Sequence, residues 1–383
     1  MIARVELISV GNELLSGRTV NTNLAYLSKQ LIRMGIGPQR HTVLPDDPEE
    51  IQRGVGAALG QSSLVIVTGG LGPTLDDVTQ AAVESALSAS GQKLPNRLGS
   101  ACGMYYEQGG KGVILLPGVP REMVAMFEES ARPIVARLIA AGRRQFIRSI
   151  SFCLKNEKEI DPLLRELQRH HPQVRFGIYP AYGSVTVELK GSDEGVLERL
   201  VKTLCEAFPT RWYQGTMAEA LHQALRQKMV KLALAESCTG GAIAAALTRI
   251  PGASDFLLGA MVTYSNASKE EWLGVSPEML RAHGAVSRET AIAMAEGILE
   301  RTRAELAAAV TGIAGPTGGS AQKPVGTVYI AIARKGGSTD VGRIQAPPDR
   351  EAVIEKTVNT CLGALWLRVV HNECFSHDIP TNR

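Results

Sequence analysis

Aromatic residues are scarce in this 383-residue chain: three Trp, eight Tyr and seven Phe, 5% of the total. The core is therefore left to Ala, Val, Ile and Leu. An excess of one charge sign is also missing. The net charge of +3 gives no electrostatic case for general nucleic-acid binding, which needs a clustered basic face. No apolar run approaches the length of a membrane span. The opening residues Met1–Glu6 place Glu where a secretory leader would be apolar, so a cytoplasmic location is expected. Six cysteines are scattered, and none forms a C-x-x-C pair. They read as buried thiols. His371, Cys374 and His377 are closely spaced, but in a polar terminal tail where a metal site is the weaker reading.

What is present is length and apolar residues. At 383 residues, 44% of them hydrophobic, about two or three domains are expected. Val5–Val10, Val43-Leu44, Leu64–Val67 and Val113–Leu116 read as strands. Leu24, Leu27 and Leu31 share one helix face. Repeated strand–turn–helix units predict a mostly parallel sheet with helices on both faces. The pattern then changes to a strand (Phe146–Leu154), a helix (Glu157–Gln168), a hairpin (Val174–Ile178 with Ser184–Leu189) and a helix (Val196–Phe208). A third stretch opens on a helix with Leu221, Leu225 and Met229 one turn apart. Strands near 231–235, 259–265, 305–311, 325–332 and 340–346 follow, and a last helix from about 350 to 370. The fold class predicted is α/β: two three-layer α/β domains joined by a small α+β domain of β-α-β-β-α order. The boundaries fall at 1–145, 146–212 and 213–372, with a polar tail over 373–383.

Two hydroxyl-bearing, glycine-rich turns stand at strand ends in the third stretch. Ala235-Glu236-Ser237-Cys238-Thr239-Gly240-Gly241 leads from a strand into a helix, a place where backbone N–H groups and the positive helix end suit an anion or oxyanion. Thr311-Gly312 through Gly318-Gly319 is the second wall, with backbone donors for a phosphate or oxyanion. Ser237 is the candidate nucleophile and needs a base. Lys269, five residues after Tyr264, can reach the same sheet edge, and a desolvated lysine can act as that base. The residues alone leave the plainer alternatives open: Ser237 or Thr239 as a helix cap, Lys269 as a solvated helix residue, Arg350 as a surface ion pair rather than a phosphate clamp. No Lys-Ser/Thr ending marks a P-loop, so ATP hydrolysis is not supported. In the first stretch, Thr68-Gly69-Gly70-Leu71-Gly72-Pro73-Thr74-Leu75-Asp76-Asp77 combines backbone donors with two acids. Those acids either hold a divalent cation or cap a helix. Asn21 and Asn23 would line the neighbouring strand end.

In order, GNELLSG, VNTN, TGGLGPTLDD and LPGVPRE, followed by AESCTGG, VTYSNASK, HGAVS, TGIAGPTGG, KPVGTVYIA and DRE, resemble the CinA (competence/damage-inducible protein A) family over nearly the whole chain. The resemblance implies a molybdopterin-binding-like N-terminal domain and a C-terminal nicotinamide-nucleotide amidase. That amidase would hydrolyse the carboxamide of nicotinamide mononucleotide to nicotinate mononucleotide and ammonia, without a cofactor. It would use Ser237 as nucleophile, Lys269 as base and Tyr264 as its orienting partner. Thr239, Gly240, Thr311, Gly312, Gly315 and Arg350 would hold the substrate. For the N-terminal domain it implies an ADP-ribose pyrophosphatase, with Gly69, Gly70, Gly72, Asn21 and Asn23 at the site and a divalent metal on Asp76 and Asp77. There the chain departs from the family pattern. A longer helical insertion is missing before Asn96–Gly103, and Asn12 replaces a usual Thr. A homo-oligomer is expected, with no membrane and no direct nucleic-acid partner. The reading from another class is an adaptor in DNA uptake or repair, as the family name suggests.

Overall fold

The computed structural model describes residues 4–87, 91–140 and 146–375; His377, most of the polar tail and the first three residues lie outside them. Two compact units are present. One runs to Ile147 and includes Lys190–Leu197; the other takes Arg148–Leu189 and the chain from Glu198 onward. Among the described residues, no helix is long and apolar enough to cross a membrane.

The first unit holds a six-stranded sheet of β1 (Val5–Val10), β2 (Arg40–Leu44), β3 (Leu64–Thr68), β4 (Gln92–Leu94), β5 (Gly103–Gln108) and β6 (Lys111–Leu116), in the order β2-β1-β3-β6-β5-β4. The four strands β2, β1, β3 and β6 run parallel, while β5 and β4 are antiparallel additions at one edge. Every residue of β1 and β3 is buried, as parallel strands covered on both faces require. Separate apolar clusters fill the two faces, one around Leu7, Ile66 and Phe127, the other around Ile8, Val67 and Tyr106. Strands β4 and β5 have no counterpart in the sequence reading. Their polar ends and the absence of an apolar run closed by glycine hid them. Helices begin on recognisable caps: the Asn21 side chain accepts from Leu24 N–H and that of Asp47 from Glu50 N–H.

The middle segment forms a four-stranded sheet of β7 (Phe146–Cys153), β8 (Arg175–Ala181), β9 (Ser184–Gly191) and β10 (Trp212–Tyr213), ordered β10-β7-β9-β8. Helices Glu157–His170 and Glu194–Ala207 lie between its strands. The short β10 extends the expected β-α-β-β-α order by one strand.

The remaining sheet contains β11 (Leu232–Glu236), β12 (Leu257–Val262), β13 (Leu306–Gly312), β14 (Thr327–Arg334) and β15 (Asp340–Gln345), ordered β12-β11-β13-β14-β15. Strands β12, β11 and β13 are parallel; β14 and β15 turn antiparallel. Its two faces again carry distinct clusters, one built around Leu225, Leu234 and Leu365, the other around Ala233, Met294 and Ile298. Met229, expected on the helix face with Leu221 and Leu225, lies beyond the end of Met217–Gln227 and is exposed, at a positive φ of 55°.

The last helix, Arg350–His371, is capped by Asp349 and largely buried. Part of its cover comes from the middle segment. Gly363 backs onto Cys153, where an added Cβ would lie 2.8 Å from Sγ. Tyr213 meets Trp366 at a ring-centroid distance of 6.0 Å, and Arg211 pairs with Glu373.

Gly297 sits in helix Arg288–Arg301 where a Cβ would come within 2.0 Å of the Leu273 carbonyl oxygen. On an open helix face Gly→Ala gains about 1 kcal/mol. Here it must push two helices apart, which typically costs about 1–3 kcal/mol. Gly297→Ala is therefore expected to lower the urea midpoint; an unchanged or raised midpoint would show that the contact yields freely.

Candidate active site

Register brings the site together. Glu236, the last residue of β11, pairs with Val262 of β12 on one side and Val310 of β13 on the other. Ser237 therefore emerges level with Thr263 and Thr311, at the carboxyl ends of three parallel strands, where ligands of open α/β sheets bind. After Thr263 donates its N–H to the Glu236 carbonyl at 2.8 Å, the chain leaves the sheet. Ser265 caps the helix Asn266–Leu273, its Oγ accepting from Ser268 N–H. That ends β12 three residues earlier than its sequence suggests and sets Lys269 in the helix's first turns.

Lys269 is 1% exposed. Its Nζ donates to Ser237 Oγ at 3.1 Å, to the Thr263 carbonyl at 2.7 Å and to the Tyr264 carbonyl at 3.4 Å. Burial holds the amine below the usual lysine range. The neighbouring Cys238 is driven the other way: burial, the largest influence, pushes its thiol up to about 12. It is a core thiol beside the site.

Glu236, to which the sequence reading gave no role, is fully buried. Its Oε2 accepts from Thr239 Oγ1 (2.7 Å), Gly241 N–H (3.0 Å) and Ile243 N–H (3.1 Å), and its Oε1 from Ala244 N–H (2.9 Å). The start of helix Ala242–Thr248 is thus occupied by the protein's own carboxylate. This corrects two expectations: the helix end is not an open anion cradle, and neither Ser237 nor Thr239 is the cap. The signal was an acid closing the apolar run Leu232–Ala235 just before a glycine turn into a helix. Among the described residues, the N–H groups of Cys238 and Thr239 meet no backbone or side-chain oxygen.

The other expected residues separate. Thr239 spends its hydroxyl on Glu236, and Gly240 stands exposed on the rim. Thr311, 1% exposed, donates its hydroxyl to the Ala285 carbonyl at 2.7 Å, so it is a packing residue rather than a free donor. Gly312 remains in the ladder opposite Val328. Arg350 reaches the Gly315 carbonyl with Nη1 (2.9 Å) and the Tyr264 hydroxyl with Nη2 (3.0 Å). Tyr264 therefore touches Lys269 through its backbone carbonyl, while its half-exposed ring and phenol belong with Arg350.

In the first unit, a cleft of about 230 Å³ opens at the ends of β1, β3 and β6, lined by Asn21, Asn23, Gly69, Gly70, Asp76 and Asp77 among others. Gly72 is not in its lining; it sits beneath Asp77, where a Cβ would lie 2.6 Å from Oδ2. Asn21 caps a helix and donates to Ser9 Oγ at 2.8 Å. Asn23 donates to the Gly118 carbonyl at 2.7 Å, leaving its buried Oδ1 without a partner. Burial pushes the Asp77 carboxyl up, but hydrogen bonds from Thr74 and Gly72 outweigh it and hold the group below its usual range. Asp46 accepts from Asn12 N–H at 2.9 Å. Each of these acids fastens a loop. Among the described residues, no three His, Cys, Asp or Glu side chains converge as metal ligands. Asp76 and Asp77, the pair on which the resemblance implies a metal, both lie within hydrogen-bond reach of the Thr74 hydroxyl.

Residues 214–368 match the family described as the CinA C-terminal domain, and residues 6–137 the family described as "Probable molybdopterin binding domain". A relative from Caldanaerobacter subterraneus, described as competence-damage inducible, is 37% identical over 372 residues, which take in 86% of this chain and 90% of its own. The chain belongs to the CinA family. A CinA-like protein of Geobacter sulfurreducens is 35% identical over 409 residues, covering 95% of this chain and 98% of its own. Since 95% of 383 residues fill those 409 positions, about forty-five have no counterpart here. The crystal structure of the competence/damage inducible protein CihA from Agrobacterium tumefaciens is 43% identical, covering 39% of this chain and 93% of that one, with a TM-score of 0.38.

An amine below its usual range fixes the sign of a pH effect. Labelling of Ser237 by a fluorophosphonate should speed up as pH rises and Lys269 loses its proton. The rate should level off with a midpoint below the ordinary lysine value of 10.5. A midpoint at or above that value would separate Lys269 from the activation of Ser237.

Proposed function

We propose that the C-terminal part of this CinA protein is a serine–lysine amidohydrolase, and that its substrate is nicotinamide mononucleotide. The observation that carries the reaction type is the buried 3.1 Å contact between Lys269 Nζ and Ser237 Oγ. The other Lys269 partners are carbonyl oxygens, which do not hold the amine charged as a carboxylate would. The substrate comes from the family resemblance. Neutral Lys269 takes the Ser237 proton as Oγ attacks the carboxamide carbon. The Thr239 N–H is the donor this reading offers to the developing oxyanion. The C–N bond breaks as Lys269 hands the proton to the leaving nitrogen, releasing ammonia. Water then adds to the acyl-serine, giving its proton back through Lys269, and the carboxylate leaves. Arg350, held at the rim by Gly315 and Tyr264, offers its guanidinium to the 5′-phosphate.

The full-length protein is expected to release ammonia from nicotinamide mononucleotide in the presence of a chelator. Ser237→Ala and Lys269→Ala should each reduce turnover by about 1,000-fold or more, as loss of a nucleophile or its base does. Turnover retained by Ser237→Ala would end the assignment.

We read the N-terminal cleft as a nucleotide- or pterin-binding module without catalysis. The support is that Asp46, Asp76 and Asp77 each take part in a loop contact, and that no three ligands converge among the described residues. No ADP-ribose hydrolysis is expected with magnesium or manganese. Metal-dependent turnover lost in Asp76→Ala would overturn this reading.

A further inference from the structure

We propose that Glu236 is a positioning residue for the Ser237 nucleophile: its buried carboxylate ties the far end of the turn back onto the residue from which the turn begins. This inference rests on the serine–lysine reading above and deepens it.

Glu236 belongs to both sides of the bend. Its backbone is the end of β11, in register with β12 and β13 and accepting the Thr263 N–H at 2.8 Å. Its side chain reaches forward across Ser237–Gly240 to the N–H groups of Gly241, Ile243 and Ala244, and takes the Thr239 hydroxyl as well. The bend thus has a covalent anchor at one end and a four-donor anchor at the other, both in one residue. Between them lies Ser237, whose carbonyl accepts from Gly240 N–H at 3.1 Å. With Lys269 Nζ fixed separately by the Thr263 carbonyl, the Oγ–Nζ separation depends on where the bend holds Ser237. Charge-assisted contacts to a carboxylate are stronger than neutral ones, and displacement of a reacting group by about 1 Å can cost about 100-fold in rate.

A glutamine has one acceptor oxygen and would turn an NH2 toward backbone N–H groups that are themselves donors. An alanine leaves all four donors facing a cavity of carboxylate size. A small free carboxylate can fill that cavity, and a merely structural role would not respond to it.

The test is the rate of Ser237 labelling by a fluorophosphonate in the full-length protein, with ammonia release measured alongside. Folding of each variant is checked by its thermal unfolding transition. Glu236→Ala is expected to label about 100-fold more slowly, to lose kcat with KM for nicotinamide mononucleotide unchanged, and to regain rate as formate is added. Labelling at the unaltered rate overturns the proposal, as does a folded, slow Glu236→Ala that formate does not restore. If Glu236→Ala fails to fold, Glu236→Gln decides: slow labelling supports the proposal and full-rate labelling overturns it. Failure of the underlying reading looks different. Unaltered protein that labels at Ser237 yet releases no ammonia breaks the substrate assignment and leaves the positioning result standing. Unaltered protein that does not label at Ser237 overturns the nucleophile and its positioning together.

Discussion

An amine enclosed by a hydroxyl and two carbonyl oxygens, with 1% of its residue exposed, is poorly placed to stay charged. Water is gone and no carboxylate replaces it, so the neutral form gains ground. The local architecture of the second unit can be traced from that one constraint. The neighbouring parallel strands β11 and β12 must end level, so that carbonyls from one loop and a serine from the next meet the same nitrogen. Ser265 must start a helix at once, or the lysine would not turn inward. The carboxylate next in sequence to the serine must be drawn elsewhere, or it would pair with the amine and hold its proton. Glu236 meets the last condition by satisfying the start of a helix.

Much of the fold was legible because buried parallel strands write themselves as unbroken apolar runs. Leu64–Thr68 and Leu306–Gly312 have no polar face to disguise them, and Val5–Val10 carries only Glu6 and Ser9, both buried. The hairpin of the middle segment was legible for the opposite reason. Ser184–Gly191 alternates intermediate and buried residues along its whole length, the period of a half-covered strand. Strands β4, β5 and β10 were not legible. They are short or polar-ended, and their partners in the sheet define them more than their own composition does.

The contact between Ser237 and Lys269 was legible in the sequence, and its surroundings were not. A serine after a strand and a lysine after the next one are visible as residue types, and motif order raised them above the cap reading. What pairing does to hydroxyls is not visible in a string of letters. Thr239 and Thr311 look as available as Ser237, yet one faces Glu236 and the other the Ala285 carbonyl. Tyr264 was read as the partner of Lys269 because both follow β12. A helix cap between them turns the phenol to Arg350 and leaves only a main-chain carbonyl for the amine.

The helix Arg350–His371 spans about 33 Å at 1.5 Å per residue. Its first residue is the guanidinium at the rim, and its later turns rest under Cys153 and Tyr213 of the middle segment. A helix is stiff along its axis, so these two ends belong to one rod. Loosening the middle segment would bare the apolar side of that rod, and the rim would lose its footing in the same event. Mechanically, the arginine at the rim and the contacts with Cys153 and Tyr213 share one beam.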